Sequence, residues 1–187
     1  EVFQFYDKHH LVPFGEYMPM ASVFARFNIF GLAARAQGGY AAGPGPALLD
    51  LGPLGRALPL ICYEAVFPQD VGTAPERPDM LLQITNDAWF GTSAGPLQHF
   101  QMARLRALET GRWLLRGTNN GVTAVIDHQG RIVDALPQFE RDVLYSHYQP
   151  RTGITPFMAL GVWPWLVLSV LLLLPAILER KEKETTI

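Results

Sequence analysis

Cys62 closes the apolar run Leu58-Pro59-Leu60-Ile61 and is followed at once by Tyr63 and Glu64. A thiol at the tip of a buried strand is well placed to be a nucleophile. The strand holds the backbone, and the turn after it can expose sulfur and aim backbone N–H groups at a reacting carbonyl oxygen. Cys62 is the single cysteine of the chain, which excludes an intrachain disulfide and a multi-cysteine metal cluster. A lone cysteine is equally a small buried hydrophobe, and this stretch alone allows both readings. Lys8 and Glu16 bracket a loop with Pro13 and Gly15. A cation beside Cys62 would favour the thiolate and could stabilise an oxyanion. Glu64 either orients a neighbour or starts a helix. His9, His10 and His99 are not at zinc-ligand spacing with the cysteine, so neither a metal nor a cofactor is expected. His10 should bond loop backbone, and Arg104 and Arg106 should be solvated or paired.

The elements that must position these groups follow from pattern. Val2–Tyr6 reads as a strand ending just before Lys8. Ala21–Leu32 is helical or apolar loop, and Gln37–Pro46 a Gly/Pro-rich surface loop. Ala57–Cys62 and Met80–Thr85 are continuous apolar runs, the signature of strands buried on both faces. A helix could start over Glu64–Val71. Pro96 suits the first turn of a helix reaching Arg112, with Leu97, Phe100, Leu105 and Leu108 toward the core. Trp113–Gly117 and Val122–Asp127 are strands joined by an Asn119-Asn120-Gly121 turn. Arg131–Leu136 follows, and Asp142–Tyr148 is a last strand. Strands alternating with helices indicate α/β with a largely parallel sheet. Such sheets gather function at the carboxyl ends of strands; Lys8, Cys62 and Asn86 each follow one and should meet at one edge. Gln37–Pro46 and Trp89–Gly95 are lid candidates by composition.

The 187 residues suffice for one domain with a sizeable core. A net charge of −2, with no basic block among aromatics, excludes nucleic acid as a partner. No charge occurs from Gly153 to Leu178, so 153–179 is expected to be one transmembrane helix, with Trp163 and Trp165 at the headgroups and Pro164 in its first turn. Residues 180–187 would be a cytoplasmic tail carrying Arg180, Lys181 and Lys183. Glu1 opens on a strand already in progress, so residues 1–152 are expected to be the C-terminal portion of a catalytic domain in a longer polypeptide.

Three motifs occur in order: Lys8-His9-His10-Leu11-Val12-Pro13-Phe14-Gly15-Glu16, then Ile61-Cys62-Tyr63-Glu64, then Asn86-Asp87-Ala88-Trp89-Phe90-Gly91. Together with Gly95–Arg104, Thr118–Ala124 and the apolar tail, they resemble the nitrilase (carbon–nitrogen hydrolase) superfamily, and within it the apolipoprotein N-acyltransferases. The resemblance covers nearly the whole chain. It implies part of an α-β-β-α sandwich with a Glu-Lys-Cys triad, in which Cys62 is the nucleophile and Lys8 the lysine. The triad glutamate would lie upstream, leaving these residues inactive by themselves. Glu16 and Glu64 match two further acids near the site, and Tyr63 and Trp89 match residues that line it. The implied reaction moves an acyl group from a phospholipid to the amine of a diacylglyceryl-cysteine apolipoprotein through a Cys62 thioester. It implies a monomer in the bacterial inner membrane, with the catalytic domain on the periplasmic side. The alternatives are a membrane-tethered nitrilase-type amidase acting on a small amide, and a non-catalytic lipoprotein-binding domain.

Overall fold

A computed structural model of the chain describes residues 4–27 and 39–185, leaving aside the side chains at 24, 25 and beyond 174. It divides into two compact units, Glu1–Gly153 and Ile154–Ile187.

The first unit is built on one six-stranded sheet in the order β1 to β6. The strands are β1 (Leu49–Asp50), β2 (Arg56–Ile61), β3 (Met80–Thr85), β4 (Trp113–Thr118), β5 (Thr123–Ile126) and β6 (Ile132–Leu136). β2, β3 and β4 run parallel, and β1, β5 and β6 pair antiparallel at the flanks. Pro59 is tolerated inside β2 because β1 pairs only with Arg56 and Ala57 and has ended before it. Helices α1 (Ala21–Arg26), α2 (Pro68–Gly72) and α3 (Gly95–Thr110) accompany the sheet, with 3-10 turns at Cys62–Val66 and Asp87–Phe90.

The core lies between one face of the sheet and α3. Leu58, Leu60, Leu81, Leu114, Ala124 and Ile126 meet Phe100, Ala103 and Ala107 there, with Ala65 and Val71 closing one end. Alternate residues of each strand reach this face, so Gln83 and Arg116 project into the same layer and must find partners there.

Several expectations need correction. Gln4–Tyr6 are not strand; the Gln4 side chain instead exchanges bonds with the Asp50 backbone, Asp50 N donating to Oε1 at 2.8 Å. Residues 1–3 and 28–38 lie outside the described residues. Glu64–Val71 is not one helix but a 3-10 turn followed by α2. α3 turns Phe100 inward, but Leu97, Leu105 and Leu108 are about half exposed, because Ala103, Ala107 and Thr110 share the inner face with Phe100. Small residues there let α3 approach the sheet closely. Asp142–Tyr148 forms no strand; it is tied to the sheet by side chains, Ser146 Oγ donating to Asp134 and Tyr148 edge-on to Trp113. Among the described residues there is one sheet.

The second unit holds α4 (Pro156–Leu160) and α5 (Trp163–Thr185). Thr155 Oγ1 caps α4 by accepting from Met158 N at 3.1 Å, and Gly161, at φ +58°, ends it. This break overturns the single span expected over 153–179. Among the described residues no helix is long and apolar enough to cross a membrane. From Trp163 to Leu178 the charge-free run rises only about 24 Å at 1.5 Å per residue, against about 30 Å of hydrocarbon. The expected tail is helical to Thr185. Between Val162 and Leu174 every side chain is exposed and nearly all are apolar.

Candidate active site

β2 delivers Cys62 at its carboxyl end, and there the backbone turns sharply. Cys62 takes φ +51°, one of four non-glycine residues with positive φ among those described. That conformation is sterically costly for a side chain, and it swings the thiol out of the sheet. Cys62 is half-buried and opens into a cavity of about 360 Å³, whose wall includes Glu16, Tyr63, Val66, Asn86, Trp89 and Met102. Most of that wall is hydrocarbon or aromatic ring.

Glu64 sits two residues on, fully buried. Its Oε1 accepts from His9 N at 2.7 Å and His10 N at 3.3 Å. Oε2 accepts from Ile61 N at 2.7 Å and from the Tyr6 hydroxyl at 3.1 Å. One carboxylate thus ties the segment carrying Lys8 to the turn carrying Cys62, and it also caps the start of that turn by accepting from Ile61 N. Burial, and then the Glu64 charge, push the Tyr6 phenol far above its ordinary range, so it stays a donor. The rings of His9 and His10 both reach Asp70 Oδ2, at 3.1 and 2.6 Å, and His10 stacks on Phe67 with centroids 4.0 Å apart. His10 therefore bonds a carboxylate rather than loop backbone. The ligand atoms of His9, His10 and Asp70 lie within 4.8 Å of one another and could hold a metal ion. Hydrogen bonding already accounts for these contacts, with His9 also 2.8 Å from Glu64.

Lys8 lies behind this clamp. Its ammonium donates to Glu16 Oε1 at 2.8 Å and Oε2 at 2.6 Å, and Glu16 Oε2 also accepts from Val12 N at 2.8 Å. Lys8 lines a neighbouring cavity of about 460 Å³ with Asp7, Tyr40 and Gly43, and Glu16 is the wall common to both cavities. Gly43 N donates to Lys8 O at 2.8 Å, and a Cβ at Gly43 would lie 2.2 Å from Asp7 O, so only glycine permits this approach. The described part of the Gln37–Pro46 loop is thus pinned over Lys8. Cys62 and Asn86 line one cavity, whereas Lys8, expected beside them, lines the neighbouring one and meets the first only through Glu16. Trp89 stands at the rim, 66% exposed.

Beneath Cys62 runs a buried polar chain. The Cys62 carbonyl is 2.9 Å from His99 Nε2; His99 Nδ1 is 2.9 Å from Asp87 Oδ1; Arg116 donates to Asp87 Oδ2 at 2.5 Å and to Gln83 Oε1. Burial works to raise the Asp87 carboxyl, but the His99 hydrogen bond and the Arg116 charge outweigh it and hold it below its ordinary value. Burial lowers Arg116, opposed by the Asp87 charge and by Cys62. Gly121 leaves room for this carboxylate: a Cβ there would be 2.1 Å from Asp87 Oδ2. Asn119 Oδ1 accepts from Asp87 N at 3.1 Å, so the turn also braces the loop after β3. Sequence reasoning passed over Asp87, Gln83 and Arg116 as a group. The available signal was a polar residue at the centre of two apolar strands, which demands a buried partner.

Residues 2–155 match the carbon-nitrogen hydrolase family. The chain belongs to that family. Among its relatives, the apolipoprotein N-acyltransferase of Azotobacter vinelandii is 48% identical over 94% of this chain and 34% of its own length. That of Pseudomonas aeruginosa is 43% identical over the same shares. This carbon-nitrogen hydrolase chain thus spans about a third of the length of the curated relatives it matches. A solved structure, Saccharomyces cerevisiae Nit3 of the nitrilase superfamily, is 21% identical with a TM-score of 0.48, covering 55% of this chain and 41% of Nit3. The six-stranded sheet and its helices are a nitrilase-like mixed α/β fold.

Proposed function

We propose that this chain carries the nucleophile of an N-acyltransferase that moves a fatty acyl group from a phospholipid to the amine of a diacylglyceryl-cysteine apolipoprotein. The observation that carries the proposal is Cys62 itself, swung out at φ +51° from the end of a parallel strand into a cavity walled mostly by hydrocarbon and aromatic side chains. An acyl chain fits such a wall better than a small polar amide does. The similarity to apolipoprotein N-acyltransferases points the same way.

In this reading a carboxylate from the upstream part of the polypeptide takes the Cys62 proton. The thiolate attacks the ester carbonyl, and the oxyanion is met by backbone N–H groups after Cys62; Lys8, in the neighbouring cavity, acts on the site through Glu16. The lysophospholipid departs with the proton and leaves a thioester. The lipoprotein amine, relieved of a proton by the same carboxylate, attacks that thioester; an amide forms and the thiol is restored. Glu64 orients the turn, and Tyr63 and Trp89 flank the acyl group. The exposed apolar stretch at 162–174 suits a lipid surface, where such substrates lie. The catalytic unit would work at the periplasmic side of the bacterial inner membrane, where those lipid substrates lie.

A nitrilase-type amidase would pass the acyl group to water instead. The test is mass spectrometry of the full-length polypeptide turning over phospholipid. A fatty acyl thioester on Cys62, discharged by a lipoprotein amine and only slowly by water, is expected. Discharge by water alone would establish the amidase. Undiminished lipoprotein acylation in Cys62→Ala would leave a binding domain.

A further inference from the structure

We propose that His99 is a positioning residue for Cys62: through its Nε2–H it holds the Cys62 carbonyl and so maintains the left-handed turn that exposes the thiol. The proposal rests on Cys62 being the nucleophile, as argued above.

A carbonyl oxygen has no proton, so at 2.9 Å His99 Nε2 must be the donor. His99 Nδ1 lies 2.9 Å from Asp87 Oδ1, on a carboxylate that also accepts from Arg116, and Gln83 Nε2 lies 3.2 Å from His99 Nε2. The ring is therefore held at both nitrogens. Gln83 Oε1 is taken by Arg116, which turns the Gln83 amide nitrogen toward the same carbonyl at 3.5 Å. His99, Gln83, Asp87 and Arg116 are all buried, and Thr85 Oγ1 adds a bond to Asp87 Oδ1 at 3.1 Å. Nothing in this set is needed to fold a strand end; an extended residue after β2 would leave the carbonyl free for an ordinary turn. What the set opposes is relaxation of a side-chain-bearing residue out of the left-handed region. The peptide plane gives this a direct consequence. With the Cys62 carbonyl fixed, the trans N–H of Tyr63 is fixed as well, and that is the first backbone donor an oxyanion beside Cys62 would meet.

The test uses the full-length polypeptide with His99→Leu and His99→Gln. Two quantities are read: the iodoacetamide alkylation rate of the peptide carrying Cys62, and kcat and KM for acyl transfer. In His99→Leu, alkylation should slow about fivefold and kcat fall about 100-fold with KM nearly unchanged, since misplacement by about an ångström costs that much. His99→Gln places an amide N–H where Nε2 stands and should recover most of both losses. Unchanged alkylation in folded His99→Leu, or no recovery in His99→Gln, overturns the proposal. Should His99→Leu fail to fold, His99→Gln against His99→Asn asks the same question. Asn puts its donor near Nδ1 and should behave as a loss; equal behaviour of the two overturns the proposal. If wild type shows no transfer while the alkylation pattern holds, the acyltransferase reading fails and the positioning role stands.

Discussion

Cys62 and Lys8 stand on either side of Glu16, but their surroundings differ in kind. Behind Cys62 the groups are fully buried, and each carbonyl, carboxylate and guanidinium in the chain from Gln83 to Arg116 has a partner from the sheet or α3. Lys8 is held by a loop. Its ion pair with Glu16 is partly open, with side-chain exposures of 12% and 25%, and its cover is the 39–44 segment bonded through two backbone amides. Cys62 is set by a rigid floor and Lys8 by a more open wall. The proposed transfer, with two successive substrates, would call for a fixed point and a yielding one.

The largest expected effect breaks the fixed point directly. Cys62→Ala in the full-length polypeptide should reduce transfer by roughly 10⁴-fold or more, with no acyl adduct by mass spectrometry and an unchanged melting curve. Next comes the floor. Arg116→Met strips the buried Asp87 carboxylate of its guanidinium partner and should cost about 3–5 kcal/mol, read as a lower denaturation midpoint. Arg56→Ala, at an exposed pair with Glu76, should cost under about 1 kcal/mol. On the yielding side, Lys8→Met should lower kcat about 10²–10³-fold and leave the denaturation midpoint close to wild type. A stability loss matching that of Arg116→Met would erase the contrast between the two sides.

The smallest effect is acid sensitivity. Asp87 titrates below its ordinary value of 3.8 in the folded state, so the folded state binds fewer protons there than the unfolded chain. Its stabilisation is complete above about pH 4 and is lost as pH falls through the lower folded value. Asp87→Asn should flatten the stability profile below about pH 4, as followed by urea midpoints.

Local pattern revealed the strands most completely. Met80–Thr85 holds to the residue, and Ala57–Cys62 is displaced by one, because continuous apolar runs have few other places to go. α3 was legible in position but not in facing. Leucine spacing pointed to Leu97, Leu105 and Leu108, whereas close packing chose Ala103 and Ala107 for the sheet side. Asp142–Tyr148 has strand composition without a ladder, since side chains already tie it down. The apolar tail showed its composition but not its break, which depends on the Thr155 cap and the Gly161 turn. Within the site, Cys62, Tyr63, Glu16 and Trp89 line one cavity. The link between Glu64 and Lys8 was invisible because its donors are mainly backbone amides, which every residue possesses.

The sequence by itself determined which groups could do chemistry and that Cys62 would end a buried strand, since residue type and apolar runs are local properties. Tertiary structure alone decided that His99, Asp87 and Arg116, far from Cys62 in the chain, would converge beneath it. It also decided that Glu16 would stand between the thiol and Lys8. Convergence of this kind arises because parallel strands bring their carboxyl ends to one edge, and because a buried polar group is stable only where the fold carries a partner to it.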